Sequence, residues 1–138
     1  MKISVALAQV TQRQFTDDLS GYTEEIEKIL SRFPETQMVV HPELHLFGSD
    51  MSTDALSDIA QSLDGKFVGE LGEIAKRFGI WLIPGSIVEP APNNGVYNTA
   101  LVFNPAGELV SFIERFFLGV PLSRSLWGVN FQSLNSRD

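Results

Sequence analysis

Ile3, Val5 and Leu7 recur at every second position near the start of the chain, while Ala6 and Ala8 keep the alternate positions apolar. That pattern predicts a strand covered on both faces. After a polar break, Leu19, Tyr22, Ile26, Ile29, Leu30 and Phe33 fall at helical spacings opposite Glu24, Glu25 and Lys28, and Pro34 stops the helix. "QMVVH" predicts a second strand. "STDALSDIAQSLDG" and "FVGELGEIAKRFG" predict helices closed by Gly65 and Gly79. "IWLIPGSIVE" predicts a third strand and "YNTALVFN" a fourth, with "PAPNNG" as the turn between them; "NPAG" then turns the chain into "ELVSFIERFF". The order β-α-β-α-β followed by a β-hairpin argues for an α/β sheet with helices on a face.

Beyond Phe117 the periodicity fails. "LGVPLSRSLWGVNFQSLNSRD" mixes large apolar residues with Ser, Asn and Arg, and only Val129 and Phe131 keep a short alternation. Residues 118–138 therefore read as an atypical tail on a domain of residues 1–117. At 138 residues the chain has the size of one domain with one core.

Charge and composition remove several classes of function. Seventeen acidic against ten basic residues give a formal charge of -7, and the basic residues are scattered, so nucleic acid is not an expected partner. No apolar run approaches the roughly 20 residues that span a bilayer, and Gln9 interrupts the opening apolar stretch, so neither a membrane span nor a signal peptide is expected and the cytoplasm is the expected compartment. With no cysteine, the chain can build no disulfide, zinc-thiolate site or thiol nucleophile.

Glu43, in "VVHPELHLFG", follows the second strand directly. Ligand sites of α/β sheets gather at the carboxyl ends of strands, where a buried carboxylate acquires a raised pKa and can act as a base. A solvated loop glutamate would occupy the same position, so position alone leaves both open. His41 and His45 flank it without forming an "HExxH" pair, and they read as site-lining or structural histidines rather than metal ligands. Ser86 in "PGSIVE" lacks the "GxSxG" elbow, which argues against a serine hydrolase. Asn98 and Thr99 read as strand residues whose polar groups hold a turn or a neighbouring loop. Phe112, Phe116 and Phe117 read as core or sheet edge.

"MKISVALAQV", "VVHPELHLFG", "GIWLIPGSIVE", "GVYNTALVFNPAGELV" and "FIERFF" occur in the order and approximate spacing of the carbon-nitrogen hydrolase (nitrilase) superfamily, which the chain resembles from residue 1 to about Phe117. The resemblance implies part of an αββα sandwich, hydrolysis of non-peptide carbon-nitrogen bonds in a small amide or nitrile through a Glu-Lys-Cys triad, and no cofactor or metal. Carried over by residue, the general base falls on Glu43. The family lysine falls on Arg115 in "FIERFF", which keeps a cation but replaces a compact ammonium with a planar fork. The nucleophilic cysteine belongs to the family's C-terminal half and has no counterpart here.

The expectation is therefore a hydrolase remnant that does not turn over, or a non-catalytic binding or assembly module of the same fold, which self-associates through the surface that half a sandwich leaves open. Family members often continue with "Phe-Pro-Trp-Arg-Pro" after the lysine. "FLGVP" can encode that phrase in a shifted frame, so a truncation or frameshift after about residue 117 is expected.

Overall fold

The computed structural model describes residues 1–48, 52–117 and 129–133. The elements run β1 (Val5–Leu7), α1 (Ser20–Arg32), β2 (Met38–Val40), α2 (Thr53–Asp58), α3 (Lys66–Phe78), β3 (Trp81–Ile83), β4 (Ser86–Pro90), β5 (Val96–Phe103), β6 (Leu109–Phe117) and β7 (Val129–Ser133). They form a mixed α/β structure with one sheet, ordered β1-β2-β3-β5-β6-β7, and β4 pairs with β5 off that path. β1, β2 and β3 are parallel, and the remaining pairings are antiparallel.

Several expectations hold at the level of single residues. α1 ends where Pro34 required it to, with Phe33 as its last cap. Gly79 closes α3 in the left-handed conformation (φ 61°), its N–H reaching the Ala75 and Lys76 carbonyls. The "NPAG" turn joins β5 to β6 in a long hairpin.

Three others are corrected. Gly65 does not close a helix over 52–65; it precedes α3 as its N-terminal cap. α2 is only six residues long, capped by Ser52 Oγ accepting from the Ala55 N–H. It stops because the chain turns to the sheet, where the Gln61 N–H donates to the Val88 carbonyl at 2.7 Å. "IWLIPGSIVE" is two strands rather than one. Pro84 has no N–H to give a ladder, and Gly85 takes φ 91°, where a Cβ would collide with the Pro42 carbonyl. Gly85→Ala is therefore expected to cost about 2 kcal/mol, measured as a lowered urea midpoint with an unchanged denaturant slope.

The third correction concerns β1. Ala6 packs against the core, and Val39 and Leu82 beside it are fully buried together with Ile26 of α1 and Leu71 of α3. On the opposite face the register aligns Val5, Met38 and Trp81 in one row and Leu7, Val40 and Ile83 in another. Among the described residues no helix covers that face: Val5 is 45% exposed and Leu7 72%. The sequence pattern anticipated cover on both faces, and the helices provide it on one.

β7 agrees with the alternation at Val129 and Phe131, pairing antiparallel with β6 over Val129–Ser133. Residues 118–128 and 134–138 of the tail lie outside the described residues, as do the side chains of Phe116 and Phe117. Phe112 is buried, in keeping with a core role.

Candidate active site

A tight turn after β2 sets the position of Glu43. The His45 N–H donates to the Pro42 carbonyl and the Phe47 N–H to the Leu44 carbonyl. Leu44 itself is held at φ 52°, a conformation that side-chain-bearing residues adopt only at a cost of about 1 kcal/mol or more. Outside contacts hold the turn in place. The Leu44 N–H donates to Ser86 Oγ at 3.0 Å, Gln12 Nε2 donates to the Glu43 carbonyl at 3.0 Å, and the Arg13 N–H donates to the His45 carbonyl at 2.7 Å. Ser86 is thus occupied as a turn anchor, consistent with the sequence argument against a nucleophile.

The Glu43 side chain then meets the hairpin. Asn98 on β5 and Arg115 on β6 are cross-strand partners, and both address one oxygen of the carboxylate. Asn98 Nδ2 donates to Glu43 Oε1, and Arg115 Nη2 lies 3.5 Å from the same atom. The three residues line a concavity of about 280 Å³ with His41, Ile83, Ala100 and Ile113, at the end of the uncovered sheet face. The sequence placed Glu43 and Arg115 in one site, and the structure brings them together with Asn98, which had been read only as holding a turn or loop.

Of the two surroundings left open for Glu43, the solvated one is found: its side chain is 61% exposed, with Arg115 at 35%. Arg115 stands on the sheet face that no described layer covers, and Glu43 reaches over it from the turn after β2. In water such an ion pair contributes little stability, and among the described residues the site is open rather than sequestered.

Thr99 points the other way, into the core, and donates to Glu89 Oε2 at 2.8 Å. Burial raises the Glu89 pKa above the ordinary carboxylate value, partly offset by that hydrogen bond.

Beneath the turn lies a buried polar cluster that the sequence reading missed. Glu25 Oε1 sits 2.9 Å from His41 Nε2 and 2.8 Å from His45 Nε2, while Oε2 pairs with Arg13 Nη1 at 3.0 Å. The Tyr22 hydroxyl is 3.1 Å from His41 Nδ1. Glu25 had been assigned to the solvent face of α1, yet its side chain is only 17% exposed. The signal was available: Glu25 lies three residues after the buried Tyr22, on the same helical face.

Burial and the neighbouring His45 push the His41 pKa down to about 4, against the pull of Glu25. Burial would raise Glu25, but His45, His41 and Arg13 outweigh it and hold its carboxyl below the usual range. The Tyr22 hydroxyl is raised well above its ordinary value by burial and then by Glu25. A neutral His41 that donates Nε2–H to Glu25 and accepts from the Tyr22 hydroxyl at Nδ1 satisfies this geometry.

Among the described residues, Glu25, His41 and His45 form a group that could hold a metal ion, with donor atoms all within 4.8 Å of one another. The His41 and His45 rings stack with centroids 4.7 Å apart and planes 24° from parallel, and both Nε2 atoms converge on Glu25 Oε1, so a carboxylate oxygen stands where the two nitrogens meet. Arg13 on the second carboxylate oxygen adds a cation that a metal would have to displace.

The comparisons with known proteins agree with this architecture. The chain is 33% identical over 116 residues to omega-amidase NIT3 of Saccharomyces cerevisiae, covering 79% of this chain and 39% of the yeast protein. It is 34% identical over 89 residues to a formamidase of Pseudomonas syringae pv. tomato, covering 64% of this chain and 25% of that enzyme. The crystal structure of yeast Nit3, a member of branch 10 of the nitrilase superfamily, superposes with a TM-score of 0.68 at 28% identity, covering 82% of this chain and 44% of that one. The chain thus spans less than half the length of these relatives. The carbon-nitrogen hydrolase family model matches residues 4–117, from just before β1 to the end of β6. With the sheet, the helices and the matched segment in agreement, the chain belongs to the carbon-nitrogen hydrolase family.

Proposed function

We propose that this chain carries the base-bearing part of an amide-hydrolysing site and does not turn over substrate by itself. The observation that supports this most directly is the convergence of Glu43, Asn98 and Arg115 on one concavity at the carboxyl end of β2. Glu43 is the general base, placed to accept a proton from an attacking group. Asn98 orients the carboxylate. Arg115 keeps a cation at the cavity where negative charge would develop on a tetrahedral intermediate, although its broad fork replaces the compact ammonium of the family lysine. The substrate class is a small amide, in keeping with the likeness to the yeast omega-amidase, with a nitrile as the alternative. No resident cofactor or metal takes part.

The missing function is the nucleophile. The Glu-Lys-Cys triad that the resemblance implies attacks through a thiol, and the sequence contains no cysteine. The open position of Glu43 also leaves any bound amide in contact with bulk water.

A second reading, a non-catalytic binding or assembly module, is favoured by the uncovered apolar sheet face. Among the described residues no helix is long and apolar enough to cross a membrane, and we place the protein in the cytoplasm.

The test is ammonia release from short linear amides, formamide and a small nitrile by the purified chain. Turnover is expected to equal that of buffer, and Glu43→Gln is expected to change nothing. Ammonia release that disappears in the Glu43→Gln protein would overturn the proposal and show that another group serves as nucleophile.

A further inference from the structure

We propose that Glu25 is a positioning residue for Glu43, because one of its carboxylate oxygens holds both ends of the turn that carries the base. The inference rests on the reading of Glu43 as the carboxylate of the site, and it gives a role to a cluster that this reading leaves unused.

Glu43 lies in a turn, outside any helix or strand. His41 and His45 stand two residues before it and two after, and their rings reach the same atom, Glu25 Oε1, at 2.9 and 2.8 Å. The rings also stack on each other. Only three residues, Pro42 to Leu44, join these two anchors, and the ring of Pro42 already fixes one of their dihedrals. Whatever fixes the two histidines therefore fixes the path of the backbone through Glu43. Leu44 fits that account, since φ 52° persists only where the surroundings over-determine it.

Glu25 can carry this load because its own support is rigid. Tyr22 and Ile26 of α1, three residues before it and one after, are buried in the core, and Arg13 Nη1 holds the second carboxylate oxygen at 3.0 Å. The Arg13 N–H also donates to the His45 carbonyl, so this residue clasps Glu25 and the turn together. The two histidines depend on Glu25 unequally. His41 keeps the Tyr22 hydroxyl at Nδ1 and its N–H bond to the Ile83 carbonyl. His45 Nδ1 is buried with no partner among the described residues, which leaves Glu25 as the group that holds that ring. The end of the turn that follows Glu43 is thus the end that Glu25 controls.

Mutual satisfaction of buried polar groups would need no link to the turn. Here the two rings that bracket Glu43 are the ones that converge, and Arg13 is bonded to the turn and to Glu25 alike. Gly21 allows the two accounts to be separated. A Cβ at that position would collide with Arg13 Nη2, so Gly21→Ala displaces the guanidinium from Glu25 while raising the helix propensity of α1. The support of the turn is disturbed and no buried group is stranded.

Two-dimensional NMR of the full chain and three variants at neutral pH tests the proposal. The Asn98 side-chain amide donates to Glu43 Oε1 and reports where the carboxylate lies. The Leu44 N–H donates to Ser86 Oγ, and its exchange, measured against that of Leu71 in the middle of α3, reports the turn. Glu25→Gln is expected to shift the Asn98 amide resonances and to speed Leu44 exchange about tenfold relative to Leu71. Gly21→Ala is expected to move both in the same direction by less, with an unfolding midpoint no lower than that of the wild type. Glu27→Gln, whose carboxylate pairs with Arg77 outside the cluster, is expected to move neither. A purely structural Glu25 would lower stability and leave the Asn98 resonances of the folded protein in place. Signals unchanged in Glu25→Gln, signals unchanged in Gly21→Ala, or an equal shift in Glu27→Gln would each overturn the proposal, and Gly21→Ala decides it if Glu25→Gln folds poorly. Neither readout needs turnover, so a Glu43 that is not a base would show in the ammonia assay and leave this result standing.

Discussion

Replacing Glu25 by alanine is expected to destabilise the chain by about 3 to 5 kcal/mol, enough to abolish most of the stability of a domain this size. The carboxylate accepts from His41 and His45, whose side chains are fully buried. Removing it strands two ring N–H groups away from water, each at a cost of roughly 1 to 3 kcal/mol. Loss of the Arg13 pair adds little because that guanidinium is partly solvated. Glu25→Gln keeps an acceptor and should retain part of the loss. Urea unfolding followed by far-UV dichroism measures the effect, and a change below about 1 kcal/mol would mean that water or the histidines themselves satisfy the cluster.

Acidification is expected to weaken the fold from about pH 6.5 downward, before most carboxylates titrate. His41 holds its proton less tightly in the fold (pKa about 4) than in the unfolded chain, where the ordinary value is 6.5. The unfolded state therefore binds the proton first as pH falls. Stability is complete above 6.5, declines between 6.5 and about 4, and the loss from this group levels off below that. The interval corresponds to roughly 3 kcal/mol. Glu25, lowered in the fold, adds a further loss only at more acid pH, as it becomes protonated. Denaturant titrations at about pH 7.5, 6 and 4.5 should show the decline, and His41→Gln should flatten it, most of all between the last two. A decline of the same size in the variant would assign the effect elsewhere.

Much of the fold could be read from local rules. Pro34, Gly79 and the "NPAG" turn each impose one backbone outcome, and each sits where the sequence put it. Gly65 was ambiguous because glycine serves either end of a helix, and a tertiary bond, Gln61 to Val88, decided which. The break at Pro84 and Gly85 was hidden by apolar residues on both sides; it exists because the Pro42 carbonyl needs the space. For the candidate site, the motif resemblance named Glu43 and Arg115, but the meeting of Arg115 and Asn98 on the Glu43 carboxylate depends on the β5–β6 register, which no local pattern encodes. Glu25 was misplaced because helical periodicity was read by polarity, and a polar residue on a buried face breaks that reading.

The two parts of the site differ greatly in the chain length that separates them. Asn98 and Arg115 are joined by a hairpin and meet when one short loop closes. Glu43 reaches them only after a separation of 55 residues from Asn98 is bridged and the parallel strands are aligned. Contacts of short separation form early and parallel pairing late, because loop closure must precede its reward. The hairpin should therefore be the first ordered part of this protein, presenting its amide and guanidinium to solvent before the carboxylate arrives. Site assembly then coincides with the last step of folding, so a mutation that slows β1–β2–β3 alignment would delay the site while leaving the hairpin's own formation rate untouched.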